Sequence, residues 1–269
     1  MTDIPEPIRS AQNQQIQRVR KWLAHPAELR RDNVFLADGF HLLEEAIAAD
    51  YSLRTLFFNS ENFRPELRDL IDLAEDRGAT LQPVVPRLFR SLSPTQSPQG
   101  ALGIFDRIAG TSIPKRGTLV VADGIQDPGN LGSICRSARA AGAVGVATLA
   151  GSADLFHPRV LRAAMGATFA WPFEEHRDLS DLRSNGSDRI WIALSNSGDA
   201  RLTDLDPATD YALVLGSEGN GLRRETAEQI DRHVRIPMAP GVESLGVAAA
   251  AAVALFWLRL QNEERGPEH

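Results

Sequence analysis

The sequence predicts an α/β protein in two parts, a small α/β unit followed by a larger one on a mostly parallel sheet. Three observations carry that expectation. Continuous apolar runs such as TLVVADG and YALVLG alternate with segments of helical periodicity, as strands do when helices cover both faces of a sheet. The alternation breaks at the turn-rich stretch AGTSIPKRG, residues 109–117, and then restarts. Glycine-rich loops follow several of the later strands, at the strand ends where open parallel sheets hold ligands. The expected division is a domain over 1–108, a linker at 109–116 and a second domain over 117–264.

In the first part, IQRVRKWLAHPAELRR reads as one amphipathic helix with Ile16, Val19 and Leu23 inward. NVFLADG is a buried strand, and FHLLEEAIAADY a helix turning Leu42, Leu43, Ala46 and Ile47 to the core. LRTLFFN is a strand, RPELRDLIDLAEDRG a helix closed by Gly78, TLQPVV a strand, SLSPTQSPQG a turn and ALGIF a last strand. In the second part TLVVADG, VGVATLA, RIWIALS, YALVLG and HVRIPM read as strands. Residues 131–142, PRVLRAAMGA, LRRETAEQID and residues 244–260 read as helices between and after them.

With 43% hydrophobic and 24% charged residues the chain has the material for ordinary packed cores. One cysteine, Cys135, allows no intrachain disulfide, which suits a reducing compartment. The first residues lack the apolar run of a signal peptide. The longest uncharged apolar stretch, Ser244 to Leu258, is shorter than the roughly 20 residues a bilayer span needs. A cytoplasmic location without membrane association is expected. The net charge of −6 argues against a general nucleic-acid coat protein but leaves room for one local basic patch. The six histidines show no zinc spacing, and no metal is expected.

Three loops draw attention: DGIQDPGN, GSEGNG and MAPGVESLG. The second has the order G-x-x-G-x-G, which is neither a dinucleotide turn nor a Walker loop. It reads as a plain turn with Glu218 a solvated acid, or as a ligand loop of a Rossmann-type methyltransferase. The third leads into an alanine-dominated helix, apolar on nearly every side, with Ser244 suited to cap it. Such a helix is buried all round or pressed against another subunit. In the first loop, Asn130 as cap would set Leu131, Ile134, Cys135, Ala138 and Gly142 on one face. Arg136 then lies roughly 140° from the middle of that face, at about 100° per residue, beside Gly132 and Ala140. An off-core arginine is by itself a surface charge, and Cys135 a small core residue.

Taken together and in this order, DPGNLGSICRSARAAGA, YALVLGSEGNGL and IPMAPGVESLGVAAA resemble motifs one, two and three of the SpoU/TrmH family. These are S-adenosyl-L-methionine-dependent RNA ribose 2′-O-methyltransferases of the SPOUT superfamily. HPRVLRAAMGATFAWPF and SPQGALGIF are also similar to that family. The first half, with FLADGFHLLEEAIAA, is similar to the small substrate-binding domain that many members carry, and the likeness spans about residues 12 to 260.

The resemblance implies a C-terminal SPOUT-type α/β domain with a trefoil knot and mostly parallel sheet, preceded by a small α/β substrate-binding domain. It implies a homodimer acting on RNA, ribosomal RNA in preference to tRNA. It makes Arg136, Asn130, Glu218 and Ser244 the catalytic group. The cofactor S-adenosyl-L-methionine would lie against Leu215, Gly216, Gly219, Ile236, Met238, Ser244 and Leu245. The guanidinium would sit beside a ribose oxygen while the neighbouring chain's pocket presents the methyl donor. Two positions depart from the family pattern: Gly246 stands where motif three has asparagine, and Ala164 where serine is usual. A catalytically weak or inactive RNA-binding relative with the same knotted dimer is the alternative reading.

Overall fold

The computed structural model describes residues 4–62, 64–93, 95, 98–241 and 244–265. Pro94, Gln96 and Ser97 of the expected turn, and Val242 and Glu243 of the third loop, lie outside these. The chain forms two compact units, Met1–Ala109 with Phe156–Phe169, and Gly110–Leu155 with Ala170–His269. Phe156–Phe169 thus belongs to the first unit, although the sequence expectation set it inside a continuous second domain.

In chain order the first part runs α1 (Gln14–Ala24), α2 (Ala27–Arg31), β1 (Val34–Asp38), α3 (Phe40–Ala48), β2 (Leu53–Asn59), α4 (Pro65–Asp76), β3 (Thr80–Val84), α5 (Pro86–Phe89) and β4 (Ala101–Asp106). The single helix expected over residues 16–31 is broken in two. Pro26 cannot donate the helical hydrogen bond, and α2 starts just after it. Trp22 joins Ile16 and Val19 in the core, with its indole N–H donated to Asp32 over 2.9 Å, and Leu23 packs half-buried against the same cluster. The four inward residues expected of α3 are all buried. The sheet order is β1-β4-β2-β3. Strand β4 is antiparallel to both neighbours, and β2 and β3 are parallel.

The remaining elements are β5 (Leu119–Asp123), α6 (Pro128–Ala140), β6 (Gly145–Leu149), α7 (Pro158–Ala164), β7 (Phe173–His176), α8 (Leu179–Arg183), β8 (Ile190–Leu194), β9 (Ala200–Arg201), β10 (Tyr211–Gly216), α9 (Arg224–Ala227), β11 (Arg232–Arg235) and α10 (Val247–Arg265). The seven strands of the second unit run parallel in the order β7-β6-β5-β10-β8-β11-β9. Strands β7 and β9 and helix α8 were not legible as elements, being short and only partly buried. The helix expected from LRRETAEQID shrinks to the four residues of α9. Buried Arg189 closes the expected linker onto this unit, donating its Nε to the Gly117 carbonyl at 2.7 Å and further N–H groups to the carbonyls of Pro114 and Arg116.

In the first unit the α7 segment supplies part of the core. Phe156 and Phe169 flank Phe35 at ring-centroid separations of 5.1 and 5.6 Å. Phe105 stacks on Phe35 at 5.1 Å, and Tyr51 meets Phe169 edge-on at 5.3 Å. Burial pushes the Tyr51 hydroxyl up to about 12. Arg162 of α7 reaches Asp38 at 3.5 Å, and burial raises that carboxyl against the opposing effects of Ser93 and Arg162. Phe169 is 1% exposed, so Phe169→Ala removes core packing and is expected to cost about 3–5 kcal/mol. Urea unfolding monitored in the first unit measures it; a cost below about 1 kcal/mol would mean that the segment is no part of that core.

Candidate active site

Strands β5, β6 and β7 step toward one edge of the sheet, and β8 then starts on the other side of β5 with one place left between them. Strand β10 fills that place. The order therefore reverses between β5 and β10, and the loops at the carboxyl ends of the strands open a crevice there. A cavity of about 410 Å³ lies at this end, against the loops that follow β8, β10 and β11 and the first turn of α10.

Six of the seven residues expected to face the cofactor line it: Leu215, Gly216, Ile236, Met238, Ser244 and Leu245. Glu218 lines it too, whereas Gly219 does not and its neighbour Gly221 does. The reason is the shape of the second loop. Ser217 and Gly221 exchange backbone hydrogen bonds of 3.0 and 2.9 Å, closing a tight hairpin with Glu218 in its tip. Gly221 supplies the left-handed residue at φ 65°. At Gly216 any side chain would collide with the returning backbone of Gly221 and Leu222.

The third loop corrects one expectation. Helix α10 starts at Val247, and the Gly246 carbonyl accepts the first helical hydrogen bond, from Ala250 N at 2.9 Å. Gly246 therefore occupies the cap position. Ser244 stands two residues earlier and lines the cavity instead of capping the helix. A side-chain carbon at position 246 would stand 3.5 Å from Glu218 Oε1, an ordinary contact.

The first loop needs a second correction. Helix α6 begins at Pro128, whose fixed φ suits the first helical position. Asp127 is its cap, accepting from Asn130 N at 2.8 Å. Asn130 is therefore a half-buried residue of the first turn and not the cap. Leu131, Ile134, Cys135 and Ala138 are buried as expected, but Gly142 lies beyond the helix end, exposed at φ 82°. Burial pushes the Cys135 thiol up to about 12, as befits a core residue. Arg136 is exposed and makes no hydrogen bond or ion pair with the described residues. Its α-carbon is set back about 12 Å along the helix from Pro128, at 1.5 Å per residue. Neither Asn130 nor Arg136 lines the cavity.

Two further features lie outside the expected site residues. Ser195 and Asn196, after β8, line the cavity. Asp123, at the end of β5, is fully buried and binds Arg223; an acid closing an otherwise apolar strand was the one available signal. Helix α10 turns Ala251, Ala254, Leu255 and Leu258 inward and packs along α6, yet leaves Val253, Phe256 and Leu260 exposed at 44, 38 and 52%. Among the described residues no helix is long and apolar enough to cross a membrane, and no group of three or more His, Cys, Asp or Glu is arranged to hold a metal ion.

Residues 117–256 match the SpoU rRNA Methylase family, and residues 13–103 match the MRM3-like substrate binding domain. The 23S rRNA (guanosine(2553)-2'-O)-methyltransferase RlmP of Bacillus subtilis (strain 168) is 30% identical over 94% of this chain and 98% of its own length. The 23S rRNA (guanosine-2'-O-)-methyltransferase RlmB of Ralstonia nicotianae is 32% identical over 81% of this chain and 92% of its own. The crystal structure of an AdoMet-bound rRNA methyltransferase from Sinorhizobium meliloti superposes with a TM-score of 0.85 at 26% identity, covering 95% of this chain and 97% of that one. The parallel sheet, the second and third motif loops gathered around one cavity and these similarities lead to one assignment: the chain belongs to the SpoU rRNA Methylase family.

Proposed function

We propose that this chain transfers a methyl group from S-adenosyl-L-methionine to a ribose 2′-hydroxyl of ribosomal RNA, in the cytoplasm and as a homodimer. The observation that carries the reading is the single cavity into which Leu215, Gly216, Glu218, Ile236, Ser244 and Leu245 converge from loops distant in sequence. The family's trefoil knot, threaded by the segment leading into α10, belongs to the same reading.

The lining fits that cofactor. Leu215, Leu222, Ile236 and Leu245 offer apolar surface to a purine, while Asn196, Glu218 and Ser244 offer polar groups to a ribose and an amino-acid tail. The cofactor supplies an electrophilic sulfonium methyl. The chain's own residues bind and orient it and keep water away from it. A ribose hydroxyl is a poor nucleophile, so it must be held in line and its developing negative charge stabilised. A guanidinium keeps its proton, which makes Arg136 an electrostatic stabiliser and phosphate clamp and not a base. In the assembled site Glu218 and Asn130 would orient that guanidinium, which neither of them bonds within one chain.

Arg136 has no partner among the described residues of its own chain. The exposed apolar stripe Val253, Phe256 and Leu260 on the neighbouring α10 gives a second copy a surface to cover. In that dimer one copy's α6 offers Arg136 to the cavity of the other.

Transfer of labelled methyl from the cofactor to ribosomal RNA tests the reading. Arg136→Ala should lower kcat by about 10²–10³ with cofactor affinity retained, the loss typical of an oxyanion donor. RNA binding without any transfer by the wild type would favour the non-catalytic relative. A Cβ at position 246 meets nothing closer than Glu218 Oε1 at 3.5 Å, so Gly246→Asn should fold normally and raise kcat/KM; a drop would mean that Gly246 belongs to a differently built site.

A further inference from the structure

We propose that Asp123 is a positioning residue for this reaction, clasping Arg223 so that the Ser217–Gly221 hairpin holds Glu218 at the cavity. The inference rests on the methyl-transfer reading for its catalytic consequence and on the geometry alone for the clasp.

Asp123 is the last residue of β5, lies opposite Gly216 in the β5–β10 register, and has no exposed surface. Its carboxylate spends both oxygens on one residue. Oδ2 accepts from the Arg223 backbone N at 2.9 Å, and Oδ1 accepts from Arg223 Nε at 2.5 Å. Gripping a backbone and a side-chain donor of the same residue fixes both where the chain runs and which way the side chain leaves it. Charge-assisted bonds of this kind, away from water, resist displacement.

The hairpin itself has nothing comparable. Its bonds run within it: Ser217 and Gly221 pair by their backbones, and Asn220 N reaches Ser217 Oγ at 3.3 Å. These close the turn but do not aim it. The loop leaves β10 at Gly216, rests Leu222 against the core of the unit, and is next held by hydrogen bonds at Arg223. Between those anchors sits Glu218, whose Oε1 lies beside Gly246 at the cavity. Arg223 gives up something for the arrangement, since its Nη2 is buried without a partner among the described residues. A surface ion pair has no reason to accept such a cost.

The first loop is rooted at the same strand end, by the neighbours of Asp123. The next residue, Gly124, donates its N–H to Ser152 Oγ at 3.0 Å, and that hydroxyl donates to the Ala122 carbonyl at 2.9 Å. From there the chain runs to Asp127 and into α6, which bears Asn130 and Arg136. One buried residue thus stands at the base of two of the three motif loops.

The test compares full-length wild type, Asp123→Asn and Arg223→Lys. Asp123→Asn keeps the size but loses the charge and one acceptor; Arg223→Lys keeps the charge but loses the Nε donor. In ligand-free protein, amides 217–222 should exchange hydrogen about ten-fold or more faster in both variants, while those of Val120 and Leu213 keep their protection. Affinity for S-adenosyl-L-methionine should fall about ten-fold or more, and kcat with it, while affinity for ribosomal RNA stays unchanged. Unaltered hairpin exchange in folded variants would overturn the proposal. So would equal loss of protection through the strands, or failure of both variants to fold, because the pair would then serve folding alone. A wild type that binds no cofactor, with the hairpin effect intact, would overturn the methyl-transfer reading and leave the clasp standing.

Discussion

The site depends on one pairing, that of β10 with β5 in the middle of a parallel sheet. Because β10 is inserted between strands that precede it in sequence, the loops following β5 and β10 emerge side by side although about a hundred residues separate them. Gly216 must be glycine for the β10 loop to fold back over its own strand end. Asp123, directly opposite, then has a returning backbone N–H within reach. Buried in a medium of low polarity, that carboxylate tolerates little change in its partners, which is why so short a contact can fix the loop after β10.

A single chain accommodates the two halves of the proposed chemistry differently. The cavity gathers an acid, a hydroxyl and apolar walls, and its chain lends it no arginine. Arg136 rides on α6, which starts at the crevice and runs away from it along the sheet. An exposed guanidinium with no partner, near a helix that leaves three large apolar residues uncovered, reads as half of a composite site. Gly246 sharpens the point, because its missing side chain leaves Glu218 without the amide that the family pattern sets beside it.

Much of this was legible in the residues. Strands β2 and β10 and the inward face of α3 follow from apolar periodicity, since burial selects residue type position by position. The motif loops could be located but not their detailed roles. Asn130 looked like a cap until Pro128 set the helix start three residues earlier than expected, and Ser244 looked like one until the Gly246 carbonyl took the first helical bond. What stayed hidden depends on contacts between distant residues. Nothing local marks Phe156 and Phe169 as part of the first unit's core, or Arg223 as the partner of Asp123. Short edge elements such as β7 and β9 draw their structure from their neighbours and leave little periodic trace.

The proposed composite site is tested most directly by mixing two inactive proteins, Arg136→Ala and Glu218→Gln, under conditions in which subunits exchange. If the arginine of one copy serves the cavity of the other, each mixed dimer regains one intact site. An equal mixture should then recover roughly a quarter of wild-type methyl transfer. No recovery, with exchange verified by a tag on one partner, would contradict the account and return both residues to a site within one chain.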